Sequence, residues 1–124
     1  MKDVIEHADG KALATVVPGC LHVVPVSTVK IIEDKIVLVD YFMKKTLENL
    51  LINPDVSLAC WKGLEGFQIK AHVEYFTQGA VFTEIVEYVS QIFPDREVKG
   101  VIILSPYEVY DVSATIERPG KKVL

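Results

Sequence analysis

Asp40-Tyr41-Phe42-Met43-Lys44-Lys45-Thr46-Leu47-Glu48-Asn49-Leu50 changes its hydrophobic period in mid-course. The segment leading into it, Lys35 to Tyr41, is nearly all apolar, as a central strand covered on both faces would be. From there Met43, Leu47, Leu50 and Leu51 recur at helical spacing, with Lys44, Lys45, Glu48 and Asn49 elsewhere on the surface. Asn53-Pro54 stops the helix, because a residue before proline is driven out of the α region. A buried strand thus runs directly into a helix whose first turn carries Lys44, Lys45 and Thr46. Helix N-termini hold free N–H groups and partial positive charge, so they welcome anions. Lysine adds full charge and the threonine hydroxyl a further donor. These residues suit a monophosphate. A solvated lysine pair, with Thr46 making an ordinary local bond, accounts for them as well.

On the N-terminal side, Lys11 to Val17 ends at Pro18-Gly19 and Leu21 to Val29 follows at once, which predicts a hairpin with its turn at Val17 to Cys20. On the C-terminal side, Asp55 to Trp61 returns to strand character. In Gly66 to Phe76, Phe67, Ile69, Ala71, Val73 and Tyr75 alternate with Gln68, Lys70, His72 and Glu74, the clearest strand in the chain. Ala80 to Phe93 reads as a second helix with a broad apolar face formed by Val81, Phe82, Ile85, Val86, Val89, Ile92 and Phe93. Val98 to Val112 is strand again, and Pro106 requires an edge or a bulge. Helices are too few and too late for a doubly wound parallel sheet. The order predicts a mainly β protein, an antiparallel barrel of about six strands with two helices plugging its ends.

The 124 residues suit one domain, 1–124, which leaves a deep cofactor pocket to be completed at a subunit interface. A formal charge of −4 without a basic run argues against nucleic acid. Apolar stretches are strand-sized, short of the roughly 20 residues of a membrane helix, and the polar start reads as neither signal peptide nor anchor, so a cytoplasmic location is expected. Cys20 and Cys60 show no zinc or CxxC spacing and read as reduced structural thiols. His7, His22 and His72 lie on three separate elements, so no metal site is expected. GxSxG, glycine-rich phosphate loops and HExxH are missing, and no side chain is expected to act as a nucleophile.

Four runs taken together, His22-Val23-Val24-Pro25-Val26-Ser27, Val39-Asp40-Tyr41, Lys44 to Leu50 and Asn53-Pro54-Asp55-Val56-Ser57-Leu58, resemble the pyridoxamine 5'-phosphate oxidase family, particularly its short flavin-binding members. There an "hvvPv" strand, "K-T-x-x-N-L" and "NPxV" follow in this order. Gly66-Phe67-Gln68-Ile69-Lys70-Ala71 extends the likeness, with Ala71 where glycine is common. The resemblance implies an FMN-binding split barrel working as a homodimer, with FMN at the subunit interface. By position, Lys45 and Thr46, with Lys44 beside them, would hold the phosphate, with Asn49 nearby. Val24, Pro25, Val26, Ser27 and Thr28 would run along the flavin ring, and Asp40 and Tyr41 would line the cofactor. Trp61 and Gln68 would reach it from the second subunit, unless they are plain interface packing. The tail Ile116-Glu117-Arg118-Pro119-Gly120-Lys121-Lys122-Val123-Leu124 does not match the arginine-containing segment of the full oxidase. The implied function is electron or hydride transfer with a small-molecule redox substrate or a nicotinamide donor. Binding of F420 on the same barrel, and a non-catalytic flavin store or sensor, are the alternatives.

Overall fold

The computed structural model describes residues 1–114 and 120–123, so the tail reading at Ile116 to Pro119 lies outside the described residues. Its elements are α1 (Lys2–Glu6), β1 (Gly10–Val17), β2 (Cys20–Pro25), β3 (Val29–Ile32), β4 (Lys35–Asp40), α2 (Lys44–Ile52), β5 (Asp55–Lys62), β6 (Glu65–Phe76), α3 (Ala80–Ile92), β7 (Gly100–Asp111) and β8 (Lys121–Lys122). One antiparallel sheet runs β2-β1-β5-β6-β7-β4-β3, with β8 added to β7. The class is the expected one, with eight strands in place of six and three helices in place of two among the described residues.

The differences have local causes. Leu21 to Val29 does not form one strand. Proline has no N–H to donate, and at Pro25 the chain leaves β2 and crosses to the opposite edge of the sheet, where it becomes β3. Five-residue α1 is too short to show a helical period, yet it buries Val4 and Ile5 in the barrel core, and its Glu6 carboxylate accepts from the Ile31 N–H at 3.1 Å. β8 is a two-residue bridge.

The turns behave as their residues dictate. Pro18-Gly19 joins β1 to β2 with Gly19 at φ +75°, the left-handed position that a proline–glycine turn reserves for glycine. Glu33 and Asp34 both have positive φ, 48° and 64°, giving the β3–β4 hairpin the twist-matched geometry of a two-residue loop. At Pro106 the register between β6 and β7 shifts, with Lys70 opposite Glu108 and Ala71 opposite Pro106. Tyr107 is the extra residue of the expected bulge.

Inside the barrel, Leu13, Leu58, Ile69 and Val109 face one another across β1, β5, β6 and β7, each at most 2% exposed. Burying side chains of this size stabilises by about 1.5–3 kcal/mol each. One end is plugged by α2, whose Leu50 joins this core. The second long helix is not a plug. Ile85 and Val89 of α3 pack on Val37, Val39 and Val101, the outer face of β4 and β7. β4 is apolar on both faces because it is sandwiched between barrel core and helix, as Lys35 to Tyr41 predicted. No described helix is long and apolar enough to cross a membrane.

Candidate cofactor site

Asp40 ends β4 and determines how α2 begins. Met43, at the N-cap, has no side-chain acceptor to offer. Instead Asp40 Oδ1 accepts the Met43 N–H at 2.8 Å, and its Oδ2 accepts the Tyr75 hydroxyl at 2.6 Å. Burial first, and then the bond to this carboxylate, push the Tyr75 ionisation well above the ordinary phenol range. Lys99 N–H donates to the Asp40 carbonyl at 2.9 Å, which ties the α3–β7 connection to the same corner. A Cβ at Gly100 would overlap the Tyr75 hydroxyl, so glycine is needed there by close approach alone. With Met43 N–H held by Asp40, the first-turn N–H groups of Lys45 and Thr46 remain without an intrahelical acceptor.

In front of that turn lies a cleft of 480 Å³, lined by His22, Val24, Pro25, Val26, Ser27, Val39, Tyr41, Phe42, Met43, Lys44, Lys45 and Thr46. Its size falls within the range of about 300–1,000 Å³ usual for cofactor pockets. None of these residues is acidic. Apolar side chains dominate, and the two lysines stand at the helix end. Since among the described residues β2 pairs only with β1, one row of its backbone N–H and C=O groups is left there without a strand partner.

Eight predicted residues therefore meet in one wall: Val24, Pro25, Val26, Ser27, Tyr41, Lys44, Lys45 and Thr46. Three others stand behind it. Thr28, 5% exposed, shares a 2.9 Å bond with the Tyr41 hydroxyl. Asn49 is fully buried, donates from Nδ2 to Thr15 Oγ1 at 3.0 Å, and has no partner for Oδ1 among the described residues. Asp40 is consumed by its two bonds, so it shapes the loop and does not line the cleft.

Trp61 and Gln68 lie on the outer face of the sheet. Trp61 covers Gly10 and lines a neighbouring cavity of 420 Å³ that shares Val24, Pro25 and Val26 with the cleft. Gln68 donates to Ser57 Oγ at 3.1 Å and stands in the row Pro25, Ala12, Ala59, Gln68. Three strand spacings of about 4.8 Å separate it from β2, beyond the reach of its side chain. Sequence reasoning missed His22, Val39, Phe42 and Met43 as lining residues. The period-2 pattern could have exposed His22, which shares a face of β2 with Val24.

The pyridoxamine 5'-phosphate oxidase family model matches residues 1–114. The chain belongs to the pyridoxamine 5'-phosphate oxidase family. An uncharacterized protein of Methanocaldococcus jannaschii is 29% identical over 101 residues, which cover 77% of this chain and 67% of that protein. Among solved structures, HupZ of Group A Streptococcus superposes with a TM-score of 0.84 at 19% identity, covering 100% of this chain and 96% of that one. An FMN-binding protein of Syntrophomonas wolfei superposes at 0.81 and 15% identity, covering 92% and 84%. These likenesses establish the split-barrel fold of the pyridoxamine 5'-phosphate oxidase family for this chain.

Proposed function

We propose that the cleft binds FMN at the interface of a homodimer and that the protein serves electron or hydride transfer. The observation that carries this reading is the junction of β4 and α2, where unpaired first-turn N–H groups, Lys45 and Thr46 open onto an apolar cleft without a carboxylate. Such a junction fits a phosphate monoester carrying a flat aromatic group. Lys45 and Thr46 hold the phosphate, and Lys44 adds charge. The free edge of β2 offers backbone donors and acceptors to the ring's polar rim, while Val24, Val26 and Tyr41 exclude water from its faces. When bound, the isoalloxazine ring supplies the redox chemistry, and the chain's residues orient it.

Replacing Lys45 with Gln and Thr46 with Val together is expected to weaken FMN binding at least tenfold, or ~1.4 kcal/mol, in a fluorescence-quenching titration, with little change for riboflavin. Equal affinity for FMN before and after would remove the phosphate site. Stopped-flow reduction of the loaded protein by NADH or NADPH separates a reductase from a flavin store.

The outer face of β2 and β1, continued by Ala59 of β5, supports the dimer. Leu21 is 88% and Val23 65% exposed, beside the small residues Ala12, Ala14 and Ala59. An apolar face of this kind suits a twofold interface, in which one patch meets its own copy. The arrangement gives Trp61 and Gln68 a cleft to reach, that of the partner subunit. Replacing Val23 with Glu is expected to turn a dimer into a monomer in light-scattering chromatography and to lower FMN affinity with it. A monomeric parent protein would contradict the interface.

A further inference from the structure

Arg96 is one of two arginines in the chain, the other being Arg118, and it belongs to none of the segments that carry the family resemblance. It lies in the connection between α3 and β7, where its N–H donates to the Phe93 carbonyl at 3.0 Å. Its guanidinium carbon stands 3.9 Å from the centre of the Phe93 ring and 5.1 Å from that of Tyr41. Nη1 donates to Ser27 Oγ at 3.3 Å. Ser27 and Tyr41 both line the cleft. Nearby, the Lys99 ammonium sits 5.7 Å from the centre of the Phe42 ring, which lines it too.

Two features set this arginine apart. Among the described residues no carboxylate pairs with it, although acidic residues outnumber basic ones in the chain. Its guanidinium, on an exposed side chain, also lies against the rings of Phe93 and Tyr41, contacts that direct it toward Ser27. One of its five N–H donors makes a long bond to a hydroxyl. Among the described residues the others make no hydrogen bond, which suits the bidentate contact that guanidinium makes with carboxylate or phosphate.

We infer that Arg96, with Ser27 and Tyr41, is the recognition site for an anionic group on the second ligand of this cleft, so that the molecule exchanging electrons with the flavin bears a carboxylate or a phosphate. The inference rests on the FMN reading of the cleft for the identity of the first ligand. It does not depend on that reading for the anion site itself. Lys44 and Lys45 serve the cofactor's phosphate at the helix end, and Arg96 and Lys99 come from a different connection.

The test uses a matched pair of flat probes, nicotinate and its neutral counterpart nicotinamide. With two arginines in the chain, an Arg118→Lys variant assigns the Arg96 Nε–H signal in a proton–nitrogen NMR spectrum. Nicotinate is expected to shift that signal saturably, in FMN-loaded and FMN-free protein alike, and nicotinamide is expected to leave it in place. Arg96→Gln should weaken nicotinate binding at least tenfold while FMN affinity stays as it was, and Arg96→Lys should retain part of the nicotinate affinity. Equal shifts from both probes, or none from either, would overturn the proposal. So would a loss of FMN affinity in Arg96→Gln comparable to that of the Lys45/Thr46 variant, because Arg96 would then be a cofactor contact. If FMN fails to bind but nicotinate still moves Arg96, the flavin reading falls and the anion site stands.

Discussion

Replacing Asp40 with alanine is expected to destabilise the protein by about 3 kcal/mol, since a hydrogen bond to a charged acceptor contributes about 1.5–3 kcal/mol and this carboxylate makes two. It is 2% exposed and accepts from the Met43 N–H and the Tyr75 hydroxyl. Alanine leaves both donors without their acceptor, and water has poor access to replace it. Urea unfolding should show the midpoint fall at an unchanged slope. Asn at this position restores neutral acceptor capacity and should cost less than half as much. Tyr75→Phe and Asp40→Ala share one bond, so their double variant should be less destabilised than the sum of the singles. Strict additivity would mean that the two side chains do not act together. The consequence for the site is direct. Without Asp40 the chain between β4 and α2 loses the tether that aims the first helical turn, and FMN affinity should fall although Asp40 does not line the cleft. Stability and affinity both at the parent level would sink this account of the corner.

Leu58→Ala is expected to cost 2–5 kcal/mol, toward the upper part of that range. Leu58 is the middle of the row Leu13, Leu58, Ile69, with a strand on each side, and all three are 0% exposed. Deleting three heavy atoms removes their transfer free energy and leaves a void. Backbone ladders on both sides of β5 keep the neighbours from closing it, and this inability to collapse is what sets the cost. Leu51→Ala on α2 is the matched control. That leucine is 73% exposed, and its truncation should change the unfolding midpoint little. If the two substitutions had similar effects, the interior of the barrel would not be where the structure locates it.

Much of this was legible along the chain, because strand and helix periods are local. The alternation of Phe67, Ile69, Ala71, Val73 and Tyr75 reports one buried face of β6. The unbroken apolar run of β4 reports cover on both sides. The switch to helical spacing after Met43 located the turn on which the lysines and Thr46 sit. Less legible was whatever depends on distance in space. A chain crossing between the two edges of a sheet looks, in sequence, like a continuation of the strand before it, and so Leu21 to Val29 reads as one strand although β2 ends at Pro25 and β3 begins at Val29. Helix α3 has an apolar stripe that could equally have served a barrel end. The interior was already filled by Leu13, Leu58, Ile69 and Leu104, which left the outer face of β4 and β7 to receive it.

By itself, the order of residues determined the antiparallel barrel, its turns, and the cationic helix start that faces the cleft, because hydrophobic period, proline and glycine act within a few residues of themselves. The tertiary structure alone decided the rest. It turned Asp40 away from the cleft toward Tyr75, moved Gln68 three strands from β2, and brought Arg96 to Ser27 across 69 positions of chain. The physical reason is that a hydrogen bond or a ring contact depends on which atoms folding brings together, and residue spacing does not record which strand edge or loop will be its neighbour.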